Sequence, residues 1–122
     1  MENMKIAISA TGNGLDSNID LKFERCNFFL IIDTVKNLLL SIENKTKDRP
    51  REIGGIVGQL IVSYGIDAVI ASDIGPSAFD IFKRYGIKVY WAKGLVDEAV
   101  RQLKEGNLEE ITKATVKRIF IY

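Results

Sequence analysis

At Ile53 the spacing of apolar residues changes, and with it the kind of fold open to this chain. Before that point they come in short runs bounded by turn residues. Met4 to Ala10, Phe28 to Asp33 (F-F-L-I-I-D) and Leu38 to Glu43 read as three strands. Only Thr34 to Asn37 part the second from the third, so those two should pair as an antiparallel hairpin. From Ile53 onward, Ile53, Ile56, Val57, Leu60, Ile61 and Tyr64 fall on one helical face, with Pro50 suited to the start and Gly65 to a left-handed cap. Strands at Ala68 to Ser72 and Lys88 to Trp91 then alternate with two more helices. The first is opened by Pro76, turns Ala78, Phe79, Phe82 and Tyr85 inward, and stops at Gly86. The second buries Val96, Ala99, Val100 and Leu103, with Asp97 and Glu98 favourable in its first turn and Gly106 at its end.

Strand–helix alternation implies parallel strands joined by right-handed crossovers, because a right-twisted strand feeding a helix packs back onto the sheet only that way. Joined to the hairpin, this predicts an α/β fold with a five-stranded mixed sheet ordered 3-2-1-4-5, strand 2 alone antiparallel and helices on both faces. Residues 1–111 form one domain and 112–122 a C-terminal extension. Its end, I-F-I-Y, has high β propensity and either adds to a sheet edge or a neighbouring chain, or stays an unstructured tail.

Composition narrows the function. A net charge of +1 with scattered Lys and Arg gives no concentrated basic face, which excludes a nucleic-acid partner, and no stretch is apolar for long enough to span a bilayer. The one basic run, Lys45 to Arg51, reads as a solvated loop. The N-terminus begins as a strand rather than a signal peptide, and a single cysteine cannot form an internal disulfide; both fit the cytoplasm. With no histidine, most zinc sites, the usual triads and imidazole acid–base catalysis are lost, so the chain reads as a binding protein, not an enzyme.

The predicted strand order places the candidate site. The chain turns one way after strand 1 and strands 4 and 5 lie on the other side, so the switch point falls between strands 1 and 4, where open α/β sheets bind ligands at the carboxyl ends of strands. Thr11-Gly12-Asn13-Gly14, Asp73-Ile74-Gly75-Pro76 and Ala92-Lys93-Gly94 meet at that edge, and Arg25 and Cys26 join them because strand 2 starts there. The second and third segments lead into helix N-termini, which favour anions. Candidate ligand-binding residues are therefore Gly12, Asn13, Gly14, Arg25, Cys26, Gly75, Lys93 and Gly94. The glycines of the first segment are not a dinucleotide fingerprint, since no helical pattern follows them. Cys26, beside Arg25 in a polar segment, suits a lowered pKa and metal ligation; Phe23, Phe28 and Phe29 would instead bury it as an inert thiol. Asp33 and Asp73 read as strand-end or capping carboxylates rather than metal ligands. Residues 11–26, a long irregular stretch with two glycines, should be the most mobile internal segment.

Six stretches in order, M-K-I-A-I, G-N-G-L-D-S, F-E-R-C-N-F-F-L-I-I-D, A-V-I-A-S-D-I-G-P-S-A-F, G-I-K-V-Y and E-G-N-L-E-E, make the chain resemble the dinitrogenase iron–molybdenum cofactor biosynthesis family, the NifX-like proteins, over roughly residues 4 to 111. The resemblance implies a ribonuclease H-like fold and a protein that binds or carries iron–molybdenum cofactor, a precursor or another metal–sulfur cluster. The family's Phe-Gly-Arg motif falls on Phe23, Glu24 and Arg25, with Glu24 in place of the glycine and Cys26 following; the family's histidine before the first helix is missing from R-E-I-G-G. On this reading the chain is a carrier or chaperone that passes a metal–sulfur cluster between donor and acceptor proteins. Cys26 is then a metal ligand, Arg25 and Lys93 supply compensating charge, and the Gly12, Asn13, Gly14 and Gly75 amides are donors to sulfides. The alternative is a small regulatory module binding a nucleotide or phosphorylated metabolite at the same edge. A nuclease is excluded because strand 1 carries no carboxylate for two-metal hydrolysis.

Overall fold

Elements form where the apolar period predicts them. The structure is a computed structural model and describes residues 4–115. In chain order it contains β1 (Lys5–Ala10), β2 (Phe28–Asp33), β3 (Leu38–Glu43), α1 (Ile53–Val62), β4 (Ala68–Ala71), α2 (Pro76–Arg84), β5 (Lys88–Trp91), α3 (Val96–Lys104) and β6 (Glu109–Ile111). One sheet joins the strands in the order β3-β2-β1-β4-β5-β6. β1 pairs antiparallel with β2 through Ile8↔Leu30 and parallel with β4 through Ala7↔Val69, so the switch point does lie between β1 and β4.

Two details of the predicted sheet are corrected. It has six strands, and β6 as well as β2 runs against the rest, because β6 pairs antiparallel with β5 through Tyr90↔Glu110. The E-E-I sequence of β6 carries too little apolar character to read as a strand. Its pairing comes from backbone bonding to the free edge of β5, with Lys88 Nζ 3.9 Å from the Glu110 carboxylate. The I-F-I-Y end lies outside the described residues. The start of the extension is fastened to the loop after β4, where Thr115 N–H donates to the Ile74 carbonyl at 3.1 Å and Ile74 N–H to Thr115 Oγ1 at 2.8 Å.

Strand alternation sends side chains to two cores. Ile6, Ile8, Leu30, Ile32, Ile70 and Tyr90 pack against Val96, Ala99, Val100 and Leu103 of α3. Ala7, Phe29, Ile31, Val69 and Val89 point the other way and meet α1 and α2 through Val57, Ile61, Ala78, Phe79 and Phe82. Burial of each Val or Leu on the α3 stripe contributes roughly 1.5–3 kcal/mol, which holds a nine-residue helix too short to persist alone. α1 and α2 approach closely because two glycines face the contact. A Cβ on Gly54 would stand 2.9 Å from Ser77 Cβ, and one on Gly58 2.9 Å from Ile81 Cδ1. Tyr85 is corrected as well. It is 59% exposed, since α2 ends at Arg84 and the chain turns there, and Ile81 is buried on the inner face.

Candidate functional site

Residues 11–26, expected to be mobile, cross the carboxyl edge of the sheet as a strap stitched by backbone hydrogen bonds. The strap is anchored first on β1, where Thr11 N–H donates to the Asn18 carbonyl and Asp20 N–H to that of Ser9, both at 3.0 Å. It then passes the ends of β5 and β4. Ile19 N–H reaches the Gly94 carbonyl at 2.7 Å, Asp73 N–H the Leu21 carbonyl at 2.8 Å, and Phe23 N–H the Asp73 carbonyl at 2.9 Å. Ile19 and Phe23 are buried, one in each core, so both layers hold it. The apolar anchors are few but evenly placed, and the backbone bonding they permit cannot be read from composition.

This strap divides the predicted site. On the α3 side, Gly12, Asn13 and Gly14 form a tight turn in which Gly14 N–H donates to Ser17 Oγ at 3.3 Å and Ser17 N–H to the Gly14 carbonyl at 3.0 Å. The turn delivers two carbonyls to the N-terminus of α3: Val96 N–H donates to Ser17 at 2.9 Å and Asp97 N–H to Leu15 at 3.1 Å. Those donors, predicted to face an anion, are satisfied by the chain itself. Gly94, at φ +92, makes the bend before α3, and Lys93 stands exposed beside it.

On the α1/α2 side a cleft of about 260 Å³ is lined by Lys22, Phe23, Glu24, Arg25, Ile53 and Asp73. Of the predicted ligand residues only Arg25 lines it, while Gly75 touches it through Glu24. The Gly75 N–H, at the N-cap of α2, lies 3.1 and 3.0 Å from the two oxygens of the Glu24 carboxylate. Burial pushes the Glu24 pKa up, and the Gly75 N–H and the nearby Arg25 charge oppose that rise. Gly12, Asn13, Gly14, Lys93 and Gly94 take no part in the lining of this cleft.

The expected environment of Cys26 is also corrected. The residue is fully buried among Phe23, Phe29 and Phe82, rings whose centroids lie 5.3 and 5.8 Å apart, and its S–H donates to the Phe28 carbonyl at 3.2 Å. Burial pushes the thiol up to about 12, so near neutral pH the sulfur is a protonated core atom rather than a thiolate. Arg25 faces outward instead. Its guanidinium donates to the carbonyls of Lys47 at 2.7 Å and Arg49 at 3.0 Å, clamping the basic run beside the cleft. Lys47 Nζ adds a bond to Asn27 Oδ1 at 2.9 Å. The run is thus exposed as expected, but held in place.

Asn44 organises this end of the molecule, and nothing in its sequence context marks it. Buried after β3, it donates from Nδ2 to the carbonyls of Glu24 and Cys26, both at 2.9 Å, while Oδ1 accepts from the Thr46 N–H and hydroxyl at 3.1 and 2.8 Å. It joins the F-E-R-C segment to the basic run. Asp33 does what was expected of it, accepting from the Val35 and Lys36 N–H groups at 3.0 Å each in the hairpin turn. Asp73 serves the strap through its main chain and puts an exposed carboxylate on the cleft. Among the described residues no three His, Cys, Asp or Glu side chains gather to hold a metal ion, and no helix is long and apolar enough to cross a membrane.

Residues 4–106 match the family model described as dinitrogenase iron–molybdenum cofactor. An uncharacterized protein of Methanocaldococcus jannaschii is 35% identical over 112 residues, covering 88% of this chain and 91% of that protein. Among solved structures, the NMR structure of a Thermotoga protein of the DUF35 family is 36% identical, with a TM-score of 0.82 over 94% of this chain and 99% of the other. The apo form of the orange protein from Desulfovibrio gigas superposes with a TM-score of 0.86 over 92% of this chain and 96% of that one; at 24% identity the likeness is one of fold.

Proposed function

We propose that this chain, which belongs to the dinitrogenase iron–molybdenum cofactor family, is a non-enzymatic cytoplasmic carrier that holds a preassembled metal–sulfur cluster as cargo at the cleft beside α2. The observation that carries this reading is the cleft itself. It adjoins the switch point, Phe23 and Ile53 give it apolar lining, and Lys22, Arg25 and the clamped basic run stand around it with the Glu24 and Asp73 carboxylates. Metal–sulfur clusters are compact anions, and the two cations and the apolar lining suit them, with the Glu24 and Asp73 carboxylates opposing. The α/β/α layering and the central 3-2-1-4-5 order are those of a ribonuclease H-like fold, and we read the fold as that one.

The protein's own donors set how the cargo is held. With Cys26 buried and protonated and no histidine in the chain, the cleft offers no soft side-chain ligand, so the metals keep the ligands they arrive with. Contacts are then charge and hydrogen bonds to the outside of the cluster, which makes the complex labile and fits transfer between a donor and an acceptor protein. The test is anaerobic incubation with ferrous iron, sulfide and tetrathiomolybdate, then gel filtration. Cluster absorption should travel with the wild-type protein, and Lys22→Glu and Arg25→Ala should each reduce it. Absorption eluting apart from the wild-type protein, or retained in full by both variants, overturns the reading.

A further inference from the structure

The cleft already has an occupant. Glu24 reaches across 51 residues of sequence to α2, and its carboxylate grips the Gly75 N–H with both oxygens. The fit is close, because a Cβ on Gly75 would lie 2.6 Å from Glu24 Oε2. The main chain around Glu24 is fixed, with the Phe23 N–H on Asp73 and the Glu24 carbonyl on Asn44 Nδ2. Its half-buried side chain is not fixed in the same way. Rotation about its own torsions frees the Gly75 N–H while the backbone stays where it is.

We propose that Glu24 is an autoinhibitory occupant of this cleft, its carboxylate standing at Gly75 where one edge of an anionic ligand would stand, so that the ligand binds only by displacing it. The proposal rests on reading the cleft as the ligand site. Two cations, Lys22 and Arg25, and two carboxylates, Glu24 and Asp73, line the cleft, so with Glu24 in place it offers an anion no net attraction. With Glu24 swung away, two cations face one carboxylate and the N-cap amide of α2 becomes a donor. A carrier built this way stays closed to small oxyanions, each too weak to displace a tethered carboxylate, and opens to a larger anion that also contacts the rim.

The probes are sodium molybdate and inorganic phosphate, titrated separately into wild type, Glu24→Gln and Glu24→Gly while the Gly75 amide is monitored by NMR. A competing charged hydrogen bond is worth about ten- to a hundredfold in affinity, so Glu24→Gly should bind at least tenfold more tightly than wild type, with Glu24→Gln between them. Unshifted Ile8 and Val69 amides report an intact sheet. Should Glu24→Gly not fold, the comparison stands on Glu24→Gln, which keeps the size and one acceptor. Equal affinities in wild type and variants, or a Gly75 amide that no oxyanion moves in the variants, overturn the proposal. Cluster uptake separates the two readings. Oxyanion affinities that part as expected, with no protein holding cluster, sink the carrier and leave the occupant; cluster held equally by all three, with matching oxyanion affinities, does the reverse.

Discussion

Iodoacetamide applied to the folded protein at about pH 8 should leave Cys26 almost unmodified. Alkylation needs a thiolate, and the Cys26 thiol is pushed up to about 12 from an ordinary 9.0. Three pKa units cut the thiolate fraction about a thousandfold relative to an exposed cysteine. The sulfur is also fully buried under Phe23 and Phe29, so reagent reaches it only when the strap opens. Attack on the closed state is thus slowed about a thousandfold, while attack through an opened strap, where the thiol regains its ordinary pKa, is limited by how rarely the strap opens. The assay compares modification rates, by intact mass, of native protein and of protein in strong guanidinium, where Cys26 reacts as a free thiol. A native rate within about tenfold of the unfolded rate would refute the burial argument, since the thousandfold suppression rests on it.

Asn44→Ala should destabilise the protein by roughly 2–4 kcal/mol in urea unfolding, because it strips partners from the Glu24 and Cys26 carbonyls and the Thr46 N–H at once; a cost under about 0.5 kcal/mol would mean water replaces it freely. Amide exchange at Ile19, Phe23 and Asp73 should be as slow as in β1, whereas Asn13 should exchange fast; uniform fast exchange over residues 11–26 would show that the strap is not closed in solution. Relative to Cys26→Ala, wild-type stability should be flat below pH 9 and fall above it. There the unfolded chain releases a thiol proton that the native state keeps up to about pH 12, so the loss approaches about 1.4 kcal/mol per pH unit, and parallel pH profiles for the two proteins would contradict the raised thiol pKa.

Sequence alone determined the three helices, the first five strands and the order in which those strands pair, because period and turn chemistry are local. An i, i+3, i+4, i+7 run of apolar residues can bury itself only as a helix, as α3 does through Val96, Ala99, Val100 and Leu103. A four-residue connection between two apolar runs can close only a hairpin, as β2 and β3 do, and strand–helix alternation leaves one handedness for the crossovers between parallel strands. The features that sequence left open depended on groups that meet only once the chain has folded. The three-residue β6 forms because β5 has a bare edge, not because E-E-I prefers to be a strand. Whether the polar neighbours or the phenylalanines of F-E-R-C-N-F-F govern Cys26 is settled only in the fold, where Asn44, 18 residues on, holds the Cys26 carbonyl and the sulfur lies in the core with Phe23 and Phe29. Glu24 could be seen as a departure from a glycine. That its carboxylate sits on the Gly75 N–H emerged only from the strap crossing the sheet edge, since a bond between residues 51 apart leaves no local pattern.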